Sequence, residues 1–99
     1  MDLASLTQGM RDRVANGSSL GATVKFDFGD DGCLYLDATK TPHEVSNENK
    51  PADCTIKISK DDFVAMSKGE LDATMAFMMG KLRVEGSMGI AMKLSSVLG

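Results

Sequence analysis

Three stretches of this chain alternate apolar and polar residues without interruption, and that rhythm constrains the fold more than any other feature. In LGATVKFDFG, Ala22, Val24, Phe26 and Phe28 fall on one parity, with Thr23, Lys25 and Asp27 on the other. CLYLDA repeats the pattern with Leu34 and Leu36, and CTIKIS with Cys54, Ile56 and Ile58. A period of two residues belongs to a strand whose two faces meet different surroundings. KLRVE adds a further strand with Leu82 and Val84 inward. Lys25, Asp27, Asp37, Lys57, Arg83 and Glu85 take the opposite parity, which predicts a charged, solvated second face. GDDG supplies the turn between the first two strands. The polar piece from Lys40 to Ala52, bracketed by Pro42 and Pro51, leaves only HEVSN as a short edge strand.

Between the strands the period changes to that of helices. Asp2 can cap a first helix running to about Asn16, with Leu3, Leu6, Met10 and Val14 on one side and Asn16-Gly17 as its stop. Ser59 caps a second helix whose first turn holds Asp61 and Asp62, where acids complement the helix dipole. Phe63 and Met66 share one face of it, and KGE ends it. A third, short helix carries Leu71, Met75, Met78 and Met79 as one stripe and stops at Gly80. SMGIAMKLSSVL forms a closing helix capped by Ser87. Four or five strands with one apolar face, together with three or four helices, predict an α+β layered structure. At 99 residues the chain has the size of one domain spanning 1–99.

Composition and motifs exclude most chemistry. A net charge of −3 argues against nucleic acid, which requires a concentrated basic surface. No apolar run is long enough to span a bilayer. The N-terminal residues lack a secretory pattern, and SSVLG is not a peroxisomal address, so cytoplasm is the expected compartment. His43 is the only histidine, beside Pro42 and Glu44, and builds neither a triad nor a metal-binding pair. Strand parity puts Cys33 on the wet face and Cys54 on the buried one, so both are expected to be free thiols. Asp27, Asp30 and Asp31 do not match a calcium loop, and the GSMG glycines match no phosphate or dinucleotide fingerprint. Lys25, Lys57, Lys81 and Arg83 lie among acids, which predicts a solvated face rather than an anion site. No catalytic constellation and no cofactor are expected.

One excess remains. The chain holds 8 methionines but only 5% aromatic residues, and MAFMMG concentrates three of those methionines. Methionine is flexible and polarizable, so it specifies a rigid core poorly and accommodates irregular shapes well. The closing helix is apolar nearly all round: Met88, Ala91, Met92 and Ser95 form one face, and Ile90, Leu94 and Val97 another. A Met-rich core explains any one of these residues. Taken together, they exceed what one sheet face can cover and predict an apolar cavity between helices and sheet.

The segment ADCTIKISKDDFVAMSKGELDATMAFMMGKLRVEGSMGIAMKL also resembles the sterol carrier protein type 2 domain family, within a similarity running from about Val24 to Leu94. The shared order is a DCTI strand, a DDF helix, a KGELD corner, an AF-x-x-GKL-x-V-x-G junction and MGIAMKL. The resemblance implies a mostly antiparallel five-stranded sheet with helices packed on one face, enclosing a hydrophobic tunnel. It implies non-enzymatic binding and transfer of fatty acids, fatty acyl-CoA or sterols. The residues it assigns to the cavity are Phe63, Met66, Met75, Met78, Met79, Leu82, Val84, Met88 and Met92, with Phe26 and Ile58 on the floor. Transient contact with a membrane surface and a lipid-metabolising enzyme partner are the other associations expected.

The competing expectation is an interaction module without lipid, in which the same apolar helix packs on a partner enzyme or a second copy. A small hydrolase or acyltransferase lacks a nucleophile–base pair. Met78, Met79 and Met92 discriminate: inward around a void they favour carriage, outward as one patch they favour association. On the carriage reading, Met79→Glu is expected to weaken fatty-acid binding with the fold largely intact.

Overall fold

The structure is a computed structural model describing residues 2–15, 20–40 and 42–98, with side chains described through Lys93. The stop expected at Asn16-Gly17 and the faces assigned to Leu94, Ser95 and Val97 lie outside the described residues. Five strands, β1 (Thr23–Asp27), β2 (Cys33–Asp37), β3 (Glu44–Ser46), β4 (Cys54–Ile58) and β5 (Leu82–Gly86), form one sheet in the order β3-β2-β1-β4-β5. The β1–β4 pair is parallel and the other three are antiparallel. Four helices accompany it: α1 (Leu3–Arg13), α2 (Lys60–Ser67), α3 (Ala73–Met78) and α4 (Met88–Leu98). The α+β reading holds, and HEVSN supplies the short edge strand β3.

Local chemistry sets the helix boundaries. Asp2 Oδ1 accepts from Ser5 N at 2.8 Å and Ser59 Oγ accepts from Asp62 N at 3.0 Å, so both expected caps form. Ser87 Oγ accepts from Ile90 N at 3.3 Å at the start of α4. Two boundaries differ from expectation. Val14 leaves helical geometry after its N–H reaches Met10 O at 3.1 Å, and its side chain is buried, so α1 ends before Asn16. Asp72 accepts from both Thr74 N and Met75 N, which makes it the cap of α3 and places Leu71 before the helix.

The core lies between the apolar sheet face and the helices. Val24 and Phe26 of β1, Leu34 and Leu36 of β2, and Cys54, Ile56 and Ile58 of β4 are buried against Leu6 and Met10 of α1, Val14 at its end and Phe63 of α2. Phe63 stands edge-on to Phe26, with centroids 5.0 Å apart and planes at 62°. Such ring pairs contribute beyond their buried area.

The opposite face corrects one expectation. Cys33 pairs with Asp27 and does share the charged face, yet it is only 8% exposed. The polar segment 47–51 folds over that part of the sheet. Cys33 Sγ lies 3.5 Å from the carbonyls of Asn47 and Glu48, Tyr35 Oη donates to Pro51 O, and the Lys50 ammonium stands 4.9 Å from the Tyr35 ring centroid. The β4–β5 end, with Lys57 and Glu85 paired at 3.5 Å, remains openly solvated.

Cys33 and Cys54 are both free and face opposite sides of the sheet. Burial pushes both thiols above their ordinary range. A thiol whose folded value is raised contributes stability that is complete below the unfolded value, about pH 8.5, and is lost as pH rises toward the folded one. The C33A/C54A pair is therefore expected to flatten the first part of the alkaline fall in Tm. An unchanged alkaline limb in that double variant would refute the assignment.

Candidate functional site

A cavity of about 670 Å³ lies between the helices and the sheet. Register explains its floor: Phe26 of β1, Ile56 of β4 and Val84 of β5 are cross-strand partners in a single row, with Leu82 in the next. Leu6 and Met10 of α1 form one wall, and Phe63 and Met66 of α2 another. Met88, Ala91 and Met92 line it from α4, and Phe77 from α3. Polar groups gather at the rim, where Arg13, Ser67 and Lys68 join the lining. Arg13 donates to Ser67 O at 2.9 Å, tying the end of α1 to the end of α2. The cavity is a groove open to solvent rather than an enclosed tunnel, since Phe77, Met88 and Met92 line it while 49%, 49% and 71% exposed.

Seven of the residues expected at the site meet there: Phe26, Phe63, Met66, Leu82, Val84, Met88 and Met92. Four do not. Ile58 is buried in the solid core, one row beyond the floor that Ile56 supplies. Met75, Met78 and Met79 are exposed outside the cavity. The fully buried residue of α3 is Ala76, and a helix seated through that position turns the methionine stripe away. Met79→Glu is therefore expected to leave cavity binding unchanged, reversing the expectation from sequence. The discriminating trio divides, with Met92 on the cavity and Met78 and Met79 outside it.

Among the residues missed were Ile56, which takes the floor place given to Ile58, Leu6 and Met10, which read as ordinary core, and Phe77, hidden inside the methionine run. Gly9 also lines the groove, and a Cβ placed there meets nothing within 4 Å. Its place inside an amphipathic helix was the available signal for that wall. Among the described residues no group of three or more His, Cys, Asp or Glu could hold a metal ion. His43 lies apart from the groove, with Nδ1 2.6 Å from Lys40 O.

A floor of strand residues roofed by helices is the arrangement that the sequence resemblance implied. The model of the SCP-2 sterol transfer family matches residues 5–99. The chain belongs to the SCP-2 sterol transfer family. Sterol carrier protein 2 from Homo sapiens is 45% identical over 53 residues, which are 54% of this chain and 10% of the human protein. Hydroxysteroid dehydrogenase-like protein 2 from Danio rerio is 41% identical over 69 residues, 68% of this chain and 17% of that protein. The chain thus matches only a small part of the length of these relatives.

Among solved structures of the family, the solution structure of a sterol carrier protein domain from Helicoverpa armigera is 27% identical with a TM-score of 0.69, covering 96% of this chain and 80% of that one. Sterol carrier protein 2 from Aedes aegypti, solved in complex with palmitate, has a TM-score of 0.78 at 19% identity, covering 100% of this chain and 97% of that one. That last likeness speaks of the SCP-2 fold. No helix of the described residues is long and apolar enough to cross a membrane.

Proposed function

We propose that this SCP-2 domain is a non-enzymatic carrier that takes fatty acids, fatty acyl-CoA or sterols into the groove between α4 and the sheet. The observation that carries the reading is the apolar groove itself, about 670 Å³ and floored by Phe26, Ile56 and Val84. That size lies within the roughly 300–1,000 Å³ of small-molecule sites. The relative solved with palmitate supports a single-chain cargo. Moving an acyl chain from water into such a groove is worth about 0.8 kcal/mol per CH₂. A chain leaving a bilayer gains little, because it already sits in hydrocarbon. The domain therefore acts by lowering the barrier to transfer rather than by trapping cargo, and it works in the cytoplasm through brief contacts with membranes. On this reading residues 1–99 form one domain.

A second reading has its own support. The matched segments are 10% and 17% of longer relatives, one of them named as dehydrogenase-like. The domain then serves as an accessory module that presents lipid to an enzyme, or docks on one without cargo.

Native mass spectrometry of the protein mixed in turn with palmitate, palmitoyl-CoA and cholesterol tests the carrier reading. A discrete added mass is expected with at least one of them, and a mass that stays apo with all three would sink it. Val84→Asp, which sets a carboxylate on the groove floor, is expected to weaken binding at least about tenfold. Met79→Glu is the matched control with unaltered affinity.

A further inference from the structure

Half of the chain's 8 methionines converge on the groove. Met10 of α1, Met66 of α2, and Met88 and Met92 of α4 all line it. Exposure divides them. Met10 is 2% exposed and Met66 is partly buried, whereas Met88 and Met92 are 49% and 71% exposed. Met88 and Met92 stand four residues apart on α4, so they are neighbours on one face of that helix. Two thioethers therefore meet solvent and the groove at once, where they would cover a bound chain. Met75, Met78 and Met79 of α3, at 52%, 75% and 57%, are as exposed but lie outside the groove.

A solvent-exposed thioether is open to oxidation by peroxide. The sulfur lone pair attacks one oxygen of hydrogen peroxide, and an S–O bond forms as the O–O bond breaks. The departing hydroxide takes the proton of the transferred hydroxyl and leaves as water. Sulfur loses two electrons and the peroxide gains them. The product, a sulfoxide, is polar where the thioether was apolar, and methionine sulfoxide reductases reverse the change. The thiols compete poorly, because Cys33 and Cys54 are 8% and 0% exposed and reactive cysteines are accessible ones. A sulfoxide on Met88 or Met92 has two courses once cargo is present. It either faces the acyl chain, which strips water from its oxygen, or turns outward and withdraws apolar cover from the cargo. Both weaken binding. On α3 the same oxidation touches nothing that cargo meets. We propose that Met88 and Met92 form a reversible oxidation site through which peroxide lowers the groove's affinity for lipid, and that bound lipid in turn shields both sulfurs.

This rests on the carrier reading, and the test separates the two. The protein is treated with hydrogen peroxide with and without palmitate, the sulfoxides are located by peptide mass mapping, and palmitate affinity is measured before and after. Oxidised wild type is expected to bind palmitate at least about tenfold more weakly than reduced wild type. Sulfoxide reductases for both epimers are expected to restore the affinity. Palmitate at about ten times its Kd is expected to slow oxidation of Met88 and Met92 about fivefold and to leave Met75, Met78 and Met79 unprotected. M88L/M92L keeps apolar side chains on that face without sulfur, and its affinity is expected to become insensitive to peroxide. M75L/M78L/M79L is expected to stay as sensitive as wild type. Oxidised wild type that binds as tightly as reduced overturns the proposal, and so does equal oxidation of Met88 and Met92 with and without palmitate. A loss that persists in M88L/M92L also overturns it and moves the damage to the shielded Met10 or Met66. Reduced wild type that takes up no palmitate sinks the carrier reading, and this proposal with it.

Discussion

Phe63→Ala is expected to destabilise the fold by about 3–5 kcal/mol, which for a domain of this size lowers Tm by roughly 15 °C or more. Phe63 is the buried residue of α2, and its ring stands 5.0 Å from Phe26 and 5.3 Å from Phe28. It holds the helix to β1 and also lines the groove. Truncation therefore enlarges an existing void instead of leaving a pocket that neighbours can close, which puts the cost toward the upper part of the range. Met66→Ala, on the same helix but only partly buried, is expected to cost less. Bound cargo stabilises the native state by mass action. Palmitate is thus expected to restore part of the lost Tm in F63A if the chain lies in the enlarged groove. A loss below about 1 kcal/mol would mean that α2 is held elsewhere.

The sheet was legible because alternation is a direct imprint of two unlike faces. Val24, Phe26, Leu34, Leu36 and Ile56 all fall where parity puts them, and the register of β1 with β4 then builds the groove floor. The burial of Cys33 was not legible. It depends on residues 47–51, a polar segment without periodicity whose path over the sheet no local pattern records. The helices failed in a different way. Periodicity establishes that Met75, Met78 and Met79 share a face but carries no information about where the face points. That was decided by Ala76, a small residue that lets α3 sit close on the sheet. Ile58 shows the remaining limit: parity identifies the inward face, yet Ile58 is closed into the core while Leu82, its cross-strand partner, lines the groove. The apolar excess pointed to a cavity, and the family resemblance assigned residues to it, seven of which line the groove.

Gly86→Ala is expected to be the other severe substitution, and its cause lies in the backbone. Gly86 has φ of +93°, and a Cβ there would stand 2.5 Å from Asp53 O. Asp53 cannot easily retreat. Its carboxylate accepts from Thr23 N at 3.1 Å and Thr23 Oγ1 at 3.2 Å, and its carbonyl accepts from Ser87 N at 3.2 Å. Those bonds join β1, β4 and β5 at one corner and fix Ser87, the cap of α4. The expected cost is about 3 kcal/mol or more, from the positive φ and the backbone clash together. Gly80→Ala separates the two contributions: Gly80 has φ of +75° but nothing within 4 Å of its Cβ position. It should lose only the conformational part, about 1–3 kcal/mol. Equal losses in urea titrations of the two variants would show that the corner yields. A larger loss in G86A, with weakened palmitate binding in its folded fraction, would mean that the corner also positions the α4 side of the groove.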